Sequence, residues 1–404
     1  MKVLLAVGGG GHFSPALAVI DQMPSDWEVL LVGRKYAFEG DSALSLEYQT
    51  AKRLSLPFQP ITTGRFQRKF TKHTLVSLAK MPVGLMQAKK NITEFGPDVV
   101  LSFGGYVSVP VVLAAAASRV PIIIHEQTLH AGLANKIAAK FATKICISWE
   151  ESAHFFPKNK TVLTGNPLRK EFFEGVETNR HSGEDKGIHQ NPFKKDSGHT
   201  PRGTGARMTE NGLPLIYITG GSGGAHGINV LLEGCLEKLL EKFTIIHQTG
   251  DAKEFGDFER LENMKLQLPP ELKNNYHPKK FIESEAVQAI MQHAAIVIAR
   301  SGMNTVTELL YLGKPCLLIP LPYGQRNEQL TNALFVKKMG LGEVIDQLTT
   351  APDDLFQKAC DMISDLGKYK NHMEETRRLI HTDAAERIIK EVQTAYEKEK
   401  RTAS

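Results

Sequence analysis

Twice in this chain a short apolar run stops at a cluster of glycines and gives way to helix-forming sequence. Residues 3–7 lead into Gly8-Gly9-Gly10-Gly11-His12, and residues 214–219 lead into Gly220-Gly221-Ser222-Gly223-Gly224. Strand, glycine turn and helix together open a βαβ unit, because glycine permits positive φ and lets the backbone approach a ligand closely. Two such openings in 404 residues predict two α/β halves rather than one.

The same rhythm fills the intervals. Residues 28–32, 98–102 and 121–125 read as further strands of the first half, and 243–248, 296–299 and 315–319 as strands of the second. Short apolar runs alternating with helical stretches predict doubly wound parallel sheets. Helices are expected to start near Ser14, with Pro15 in the first turn, and to cover 228–241. The break between the halves is placed at Gly165-Asn166-Pro167, giving domains 1–165 and 166–383. Residues 177–212 are polar, glycine-rich and nearly free of large apolar side chains, so they are expected to be a mobile insertion. The irregular spacing of His181, His189 and His199 within it does not read as a metal site.

The cysteines, Cys146, Cys235, Cys316 and Cys360, are scattered, without a CxxC pair, and read as buried small apolar residues in a reducing compartment. No metal site and no cofactor are expected. The apolar start is too short for a signal-peptide core, and no run reaches the roughly 18 residues of a spanning helix. The net charge of +5 decides little by itself. Its distribution says more: residues 48–93 contain no Asp or Glu, but hold Lys52, Arg53, Arg65, Arg68, Lys69, Lys72, Lys80, Lys89 and Lys90 among Phe66, Phe70, Met81, Leu85 and Met86. Such a stretch suits an anionic membrane surface; nucleic acid and a solvated basic helix face are the competing readings, and no nucleic-acid motif accompanies it.

Several positions carry candidate chemistry. A glycine turn at a helix N-terminus can hold a phosphate, which singles out Gly9, Gly10 and Gly11, with His12 placed to touch the ligand. His125-Glu126-Gln127 ends a strand, where ligands of open α/β sheets bind. Arg300-Ser301-Gly302 precedes a helix carrying Glu308, a carboxylate able to accept two hydroxyls of a diol. Gln329 and Asn332, three apart, share a helix face, and their amides suit sugar hydroxyls. Each also has a purely structural reading: a tight turn, a core histidine, a bonded loop or a solvated helix surface.

Taken together and in order, these motifs resemble the MurG family, the UDP-N-acetylglucosamine–N-acetylmuramyl-(pentapeptide) pyrophosphoryl-undecaprenol N-acetylglucosamine transferases. The resemblance rests on the turn ending in His12, Gly104-Gly105-Tyr106-Val107-Ser108, His125-Glu126-Gln127, Gly165-Asn166-Pro167-Leu168-Arg169, Gly220-Gly221-Ser222, His247-Gln248-Thr249-Gly250, Arg300-Ser301-Gly302 through Glu308, and Gln329 to Asn332-Ala333. It implies a GT-B fold, two Rossmann-like doubly wound domains facing a cleft. It also implies that the first domain takes the acceptor and faces the membrane, and that a C-terminal helix, 384–404, packs back on that domain. The implied reaction is inverting transfer of N-acetylglucosamine from UDP-GlcNAc to an undecaprenyl-linked muramyl-pentapeptide, at the cytoplasmic face of the plasma membrane, with cell-division or wall-elongation proteins as partners. In that reading Arg169, Ser222, the backbone at Ile282 and the segment Met303, Asn304, Thr305, Val306, Thr307 and Glu308 bind UDP. Gln329 and Asn332 hold the sugar, Tyr106 lines the acceptor side, and His12, then Glu126, are the candidate bases.

The chain departs from the family pattern at four places. Gly9 stands for the usual Thr, Thr128 for an Asn, Gly223-Gly224-Ala225-His226 for Gln-Gly-Ala-Arg, and Glu328 for a Gln or His. A diacylglycerol glycosyltransferase, a UDP-sugar 2-epimerase and a non-catalytic UDP-sugar-binding scaffold are the rival functions; acceptor assays separate them.

Overall fold

The computed structural model describes residues 1–36, 44–62, 64, 72–169, 172–173, 211–221, 223–252, 254–323 and 327–403. The 177–212 segment (apart from 211 and 212), Ser222, Arg65, Phe66, Arg68, Lys69 and Phe70 lie outside the described residues. The chain forms two compact units, Met1–Lys170 with His381–Ser404, and Glu171–Ile380.

Unit 1 is built on seven parallel strands: β1 (Lys2–Ala6), β2 (Glu28–Gly33), β3 (Phe58–Pro60), β4 (Val99–Ser102), β5 (Ile122–Glu126), β6 (Lys144–Ile147) and β7 (Thr161–Leu163). Their order is β3-β2-β1-β4-β5-β6-β7. Side chains alternate between the two faces of a strand. Accordingly Val3, Leu5 and Val7 join a core with Leu17, while Leu4 and Ala6 join one with Val112 and Ile124. The helix Ala384–Ala403 supplies Ile388, Ile389 and Val392 to the first of these cores.

The strand order reverses between β1 and β4, and the loops that follow these strands are pressed together. A methyl group on Gly8 would lie 2.6 Å from the Gly104 carbonyl oxygen and from Gly105 Cα. Gly105 has φ +80° and meets the backbone of Gly8 in return. Only residues without Cβ permit this approach.

Unit 2 holds six parallel strands: β8 (Leu215–Thr219), β9 (Thr244–Gln248), β10 (Tyr276–Lys279), β11 (Ile296–Ala299), β12 (Cys316–Leu318) and β13 (Gly342–Val344). Their order, β10-β9-β8-β11-β12-β13, reverses between β8 and β11. One core beneath the sheet gathers Ile216, Ile218, Leu232, Leu236, Ile245, Ile298 and Leu317.

Eight strands fall where the apolar runs placed them, within two residues at each end. The five others, β3, β6, β7, β10 and β13, offer no apolar run longer than three residues. Two helices differ from expectation. The first begins at Gly10, so Gly10, Gly11 and His12 form its opening turn and Pro15 lies inside it, unable to donate to the carbonyl four residues back. The stretch 228–241 is two helices, His226–Glu233 and Leu236–Leu240.

Candidate functional site

The carboxyl end of β1 in unit 1 carries the first glycine turn. Gly9, with φ +101°, is the N-cap of the helix Gly10–Ile20, and its carbonyl accepts from the His12 and Phe13 amides at 3.0 and 3.1 Å. The His12 ring therefore stands in the first helical turn. Its Nδ1 is buried and has no hydrogen-bond partner among the described residues. Burial lowers its pKa; Glu126 and the Phe103 carbonyl oppose that shift, and Arg34 adds to it. The net direction is downward, which favours the neutral ring, the form able to accept a proton.

Glu126 ends β5 and is 2% exposed. Oε1 accepts from the Thr128 amide at 3.1 Å and lies 2.8 Å from the Thr128 hydroxyl; Oε2 accepts from the Gly132 amide at 2.9 Å and Asn135 Nδ2 at 3.0 Å. Three N–H donors engage both oxygens of the carboxylate, with the single Thr128 hydroxyl proton shared between Oε1 and the His130 carbonyl, and the carboxylate fixes the loop 127–132. Thr128, the departure from the usual Asn, is buried and turned toward Glu126 and the His130 carbonyl, within 2.6 Å of the latter. Its hydroxyl is engaged within the loop. His125 is a core residue: Nε2 meets the Gly165 carbonyl at 3.2 Å and the Ser148 hydroxyl at 3.0 Å, and burial lowers its pKa to about 4.

Two contributors escaped the sequence reading, Arg34 and Glu47. Arg34 follows β2 at its carboxyl end, where parallel sheets present ligand-binding residues, and that position was the available signal. Its Nε donates to the buried Glu47 at 3.1 Å, and Nη1 lies 3.5 Å from the Tyr106 hydroxyl. This places Tyr106 beside the glycine turn. Gln127, whose Oε1 is buried without a partner among the described residues, has its Nε2 3.9 Å from the Cβ position of Gly11.

In unit 2 the second glycine turn follows β8. Gln248 at the end of β9 secures it: Nε2 donates to the Gly221 carbonyl at 2.9 Å, and Oε1 accepts from the Ile282 amide at 3.0 Å. The Ile282 N–H is therefore committed within the fold. Beneath lies a buried network in which His247 meets Tyr276 and Asn229, each at 3.0 Å, and Asn229 donates to Thr249 and Asp257. Burial lowers the His247 pKa to about 3. His226 pairs with Asp257 at 2.8 Å and stacks on Phe255, so it replaces the usual Arg by an internal pair.

The helix Met303–Leu312 starts after Gly302, at the carboxyl end of β11. Met303, Val306 and Thr307 are buried, and the Thr307 hydroxyl donates to the Met303 carbonyl at 2.8 Å. Of the six residues expected to bind UDP here, these three can offer only backbone. Asn304, Thr305 and Glu308 are half-buried and lie off the core face. Asn332 donates to the Ser301 carbonyl at 3.0 Å, with its Oδ1 buried and without a partner among the described residues. Gln329 accepts from the Ser301 hydroxyl through its carbonyl at 2.7 Å and from the Leu321 amide through Oε1 at 2.9 Å. The Asn332 amide and the Gln329 backbone carbonyl thus hold the turn at Arg300-Ser301-Gly302, while the Gln329 side chain holds Leu321. Arg300 itself donates to the Ile319 and Pro320 carbonyls and to Gln347, all neutral acceptors, and burial lowers its pKa to about 10. Arg169 closes the described part of unit 1 and is half-buried.

Comparison with known proteins gives a consistent result. Residues 3–147 match the glycosyltransferase family 28 N-terminal domain, and residues 215–388 the glycosyltransferase family 28 C-terminal domain. A Treponema denticola protein named UDP-N-acetylglucosamine–N-acetylmuramyl-(pentapeptide) pyrophosphoryl-undecaprenol N-acetylglucosamine transferase is 31% identical over 379 residues, covering 92% of this chain and 90% of its own. The Lachnospira eligens protein of the same name is 32% identical over 395 residues, covering 97% and 99%. Among solved structures, Acinetobacter baumannii MurG superposes with a TM-score of 0.67 at 24% identity, over 97% of this chain and 99% of that one. A Neisseria meningitidis UDP-GlcNAc 2-epimerase gives 0.61 at 15% identity, over 96% and 99%, so other chemistry uses the same fold. Likeness to named relatives along nearly the whole length of both chains, on two Rossmann-like units of GT-B type, means that this chain belongs to the MurG family of N-acetylglucosamine transferases.

Proposed function

We propose that the chain moves N-acetylglucosamine from UDP-N-acetylglucosamine to an undecaprenyl-pyrophosphoryl muramyl-pentapeptide, with inversion at the sugar carbon. Relatives covering nine-tenths or more of both chains carry this reaction in their names. The observation in the molecule that best supports it is the arrangement at the switch point of unit 1: a glycine turn opening a helix, a neutral-favouring His12 in its first turn, and the fixed Glu126 carboxylate within electrostatic reach.

Unit 1 takes the acceptor in this reading. An acceptor hydroxyl attacks the sugar carbon from the side opposite UDP, and His12 removes its proton. Glu126 favours the charged ring that forms, by the same interaction that raises the His12 pKa against burial. Unit 2 takes the donor: Ser222, the Ile282 carbonyl and the N-terminus of the helix Met303–Leu312 meet UDP, with Glu308 on the ribose. The oriented backbone amides stabilise the charge that grows on the leaving group. Gln329 and Asn332 shape the sugar pocket through the turn they brace.

Among the described residues, no helix is long and apolar enough to cross a membrane. The helix Lys72–Phe95 exposes Val83, Leu85 and Met86 beside Lys89 and Lys90, with Met86 65% exposed, which supports peripheral binding to an anionic bilayer at the cytoplasmic face. The test is transfer of radiolabel from UDP-N-acetylglucosamine to a short-chain muramyl-pentapeptide pyrophosphoryl lipid. Labelled lipid is the expected product. UDP-sugar binding without labelled lipid, or label moving only to diacylglycerol, overturns the reading.

A further inference from the structure

Beside the loop that Glu126 fixes, three basic side chains converge on one phenyl ring. β5 and β6 are neighbours in the sheet, with Glu126 opposite Ile147, so the segments that follow them run side by side. The first carries His130 and, on the short helix Leu133–Ala138, Lys136; the second is the 3-10 helix Glu150–Phe155, with His154 and Phe155. Lys136 Nζ stands 4.2 Å from the centre of the Phe155 ring, and the rings of His154 and His130 lie 3.8 and 5.6 Å from it. The Trp149 indole donates to the Gln127 carbonyl at 3.1 Å and ties the two segments together. What the cluster lacks is an anion. Neither the ammonium nor either imidazole makes a hydrogen bond or ion pair among the described residues. The ring face attracts the ammonium but takes none of its three N–H donors, and each imidazole keeps an N–H in either neutral tautomer.

We propose that Lys136, with His130 and His154, forms a subsite for a carboxylate, and that in the transfer reaction proposed above, on which this assignment rests, the carboxylate belongs to the peptide of the acceptor. Gathered donors without an acceptor suit a compact anion. A broad anionic bilayer suits them less, because the exposed carboxylates of Glu150 and Glu151 open the same 3-10 helix and would repel it. The place of the cluster identifies the source. Glu126, whose charge bears on His12, accepts from the amide of Gly132, and Gly132 is the N-cap of the helix that carries Lys136. A muramyl-pentapeptide is joined to its sugar through the peptide N-terminus and so keeps a free carboxylate. Lys136 lies one helical turn past Gly132, within the roughly 17 Å that five extended residues span.

The test uses the full-length enzyme and two acceptor lipids, one with free peptide carboxylates and one with those carboxylates amidated. In the parent, amidation should raise the acceptor KM about threefold to thirtyfold, the range between an exposed ion pair and a charge-assisted hydrogen bond. Lys136→Met keeps the length of the side chain and its contact with Phe155 but removes the charge. It should raise the KM for the free-carboxylate acceptor by a similar factor, erase the difference between the two acceptors, and spare the KM for UDP-N-acetylglucosamine; Lys136→Arg should restore the difference. His154→Gln, at an exposed position, should reduce the same difference and serves if Lys136→Met melts early. A parent that does not separate the two acceptors, or a folded Lys136→Met that separates them as well as the parent does, overturns the subsite. So does a variant that loses both acceptors equally together with its binding to phosphatidylglycerol vesicles, which gives the cluster to the membrane. No transfer by the parent with either acceptor is a distinct result and overturns the transfer reaction itself.

Discussion

Replacing Glu126 with glutamine separates its two possible employments, base and brace. The change is isosteric but turns one acceptor oxygen into a donor. Placed at Oε2, the new NH2 faces the Gly132 amide and Asn135 Nδ2, both donors, and Asn135 is tied besides to the His125 carbonyl at 3.0 Å. Placed at Oε1 it faces the Thr128 amide, while the Thr128 hydroxyl can turn its proton to the His130 carbonyl. The second placement is the cheaper. It orphans one buried amide, at about 1–3 kcal/mol, and turns the bonds that remain from charge-assisted to neutral, at about 1 kcal/mol each. The sum is about 3–5 kcal/mol of lost local stability. Amide hydrogen exchange at Thr128 and Gly132 reads this directly: protection should fall about a hundredfold to several thousandfold, while the amides of β1 keep theirs. A glutamine variant with protection within about tenfold of the parent, yet without turnover, would show that Glu126 acts on the substrate and not through the loop.

Three further outcomes follow from the geometry. His12→Ala should lower kcat by about a hundredfold to ten-thousandfold, the usual worth of a general base, with UDP binding unchanged by calorimetry; full turnover would remove His12 from that role. Gln248→Leu cuts the tie between Gly221 and Ile282 and should weaken UDP binding by about 1–3 kcal/mol without altering unit 1; equal affinity would show that the glycine turn holds its shape alone. Acid should destabilise both units: His125 and His247 titrate at about 4 and about 3 in the folded state against 6.5 ordinarily, so the unfolded chain binds these protons more tightly. Stability is then full above about pH 6.5 and falls as the pH drops toward 4 and 3, by about 3 kcal/mol for His125 alone; denaturant midpoints that stay level from pH 7 to pH 4.5 would refute it.

The sequence by itself determined the fold class. Each of β1, β4, β5, β8, β9 and β11 is a run buried on both faces, so its apolar residues are continuous in the chain and visible without neighbours. The two glycine clusters were visible for the same reason, since a close backbone approach is written in the residues that make it. β3, β6, β7, β10 and β13 were not, because their few apolar residues find a hydrogen-bonded partner only through the sheet around them.

Which side of each candidate residue faces a ligand was decided only by the tertiary structure. Met303 and Val306 differ from Asn304 and Thr305 by the turn of one helix against one core, and spacing alone cannot fix that phase. Spacing left Glu126 open between a ligand-facing carboxylate and part of a bonded loop; Gly132 and Asn135, six and nine residues on, come back to bond it. Arg34 lay outside every motif. It reaches Gly9 because β2 lies beside β1 in the sheet, and so a lone arginine and a missing side chain, far apart in sequence, meet at one turn.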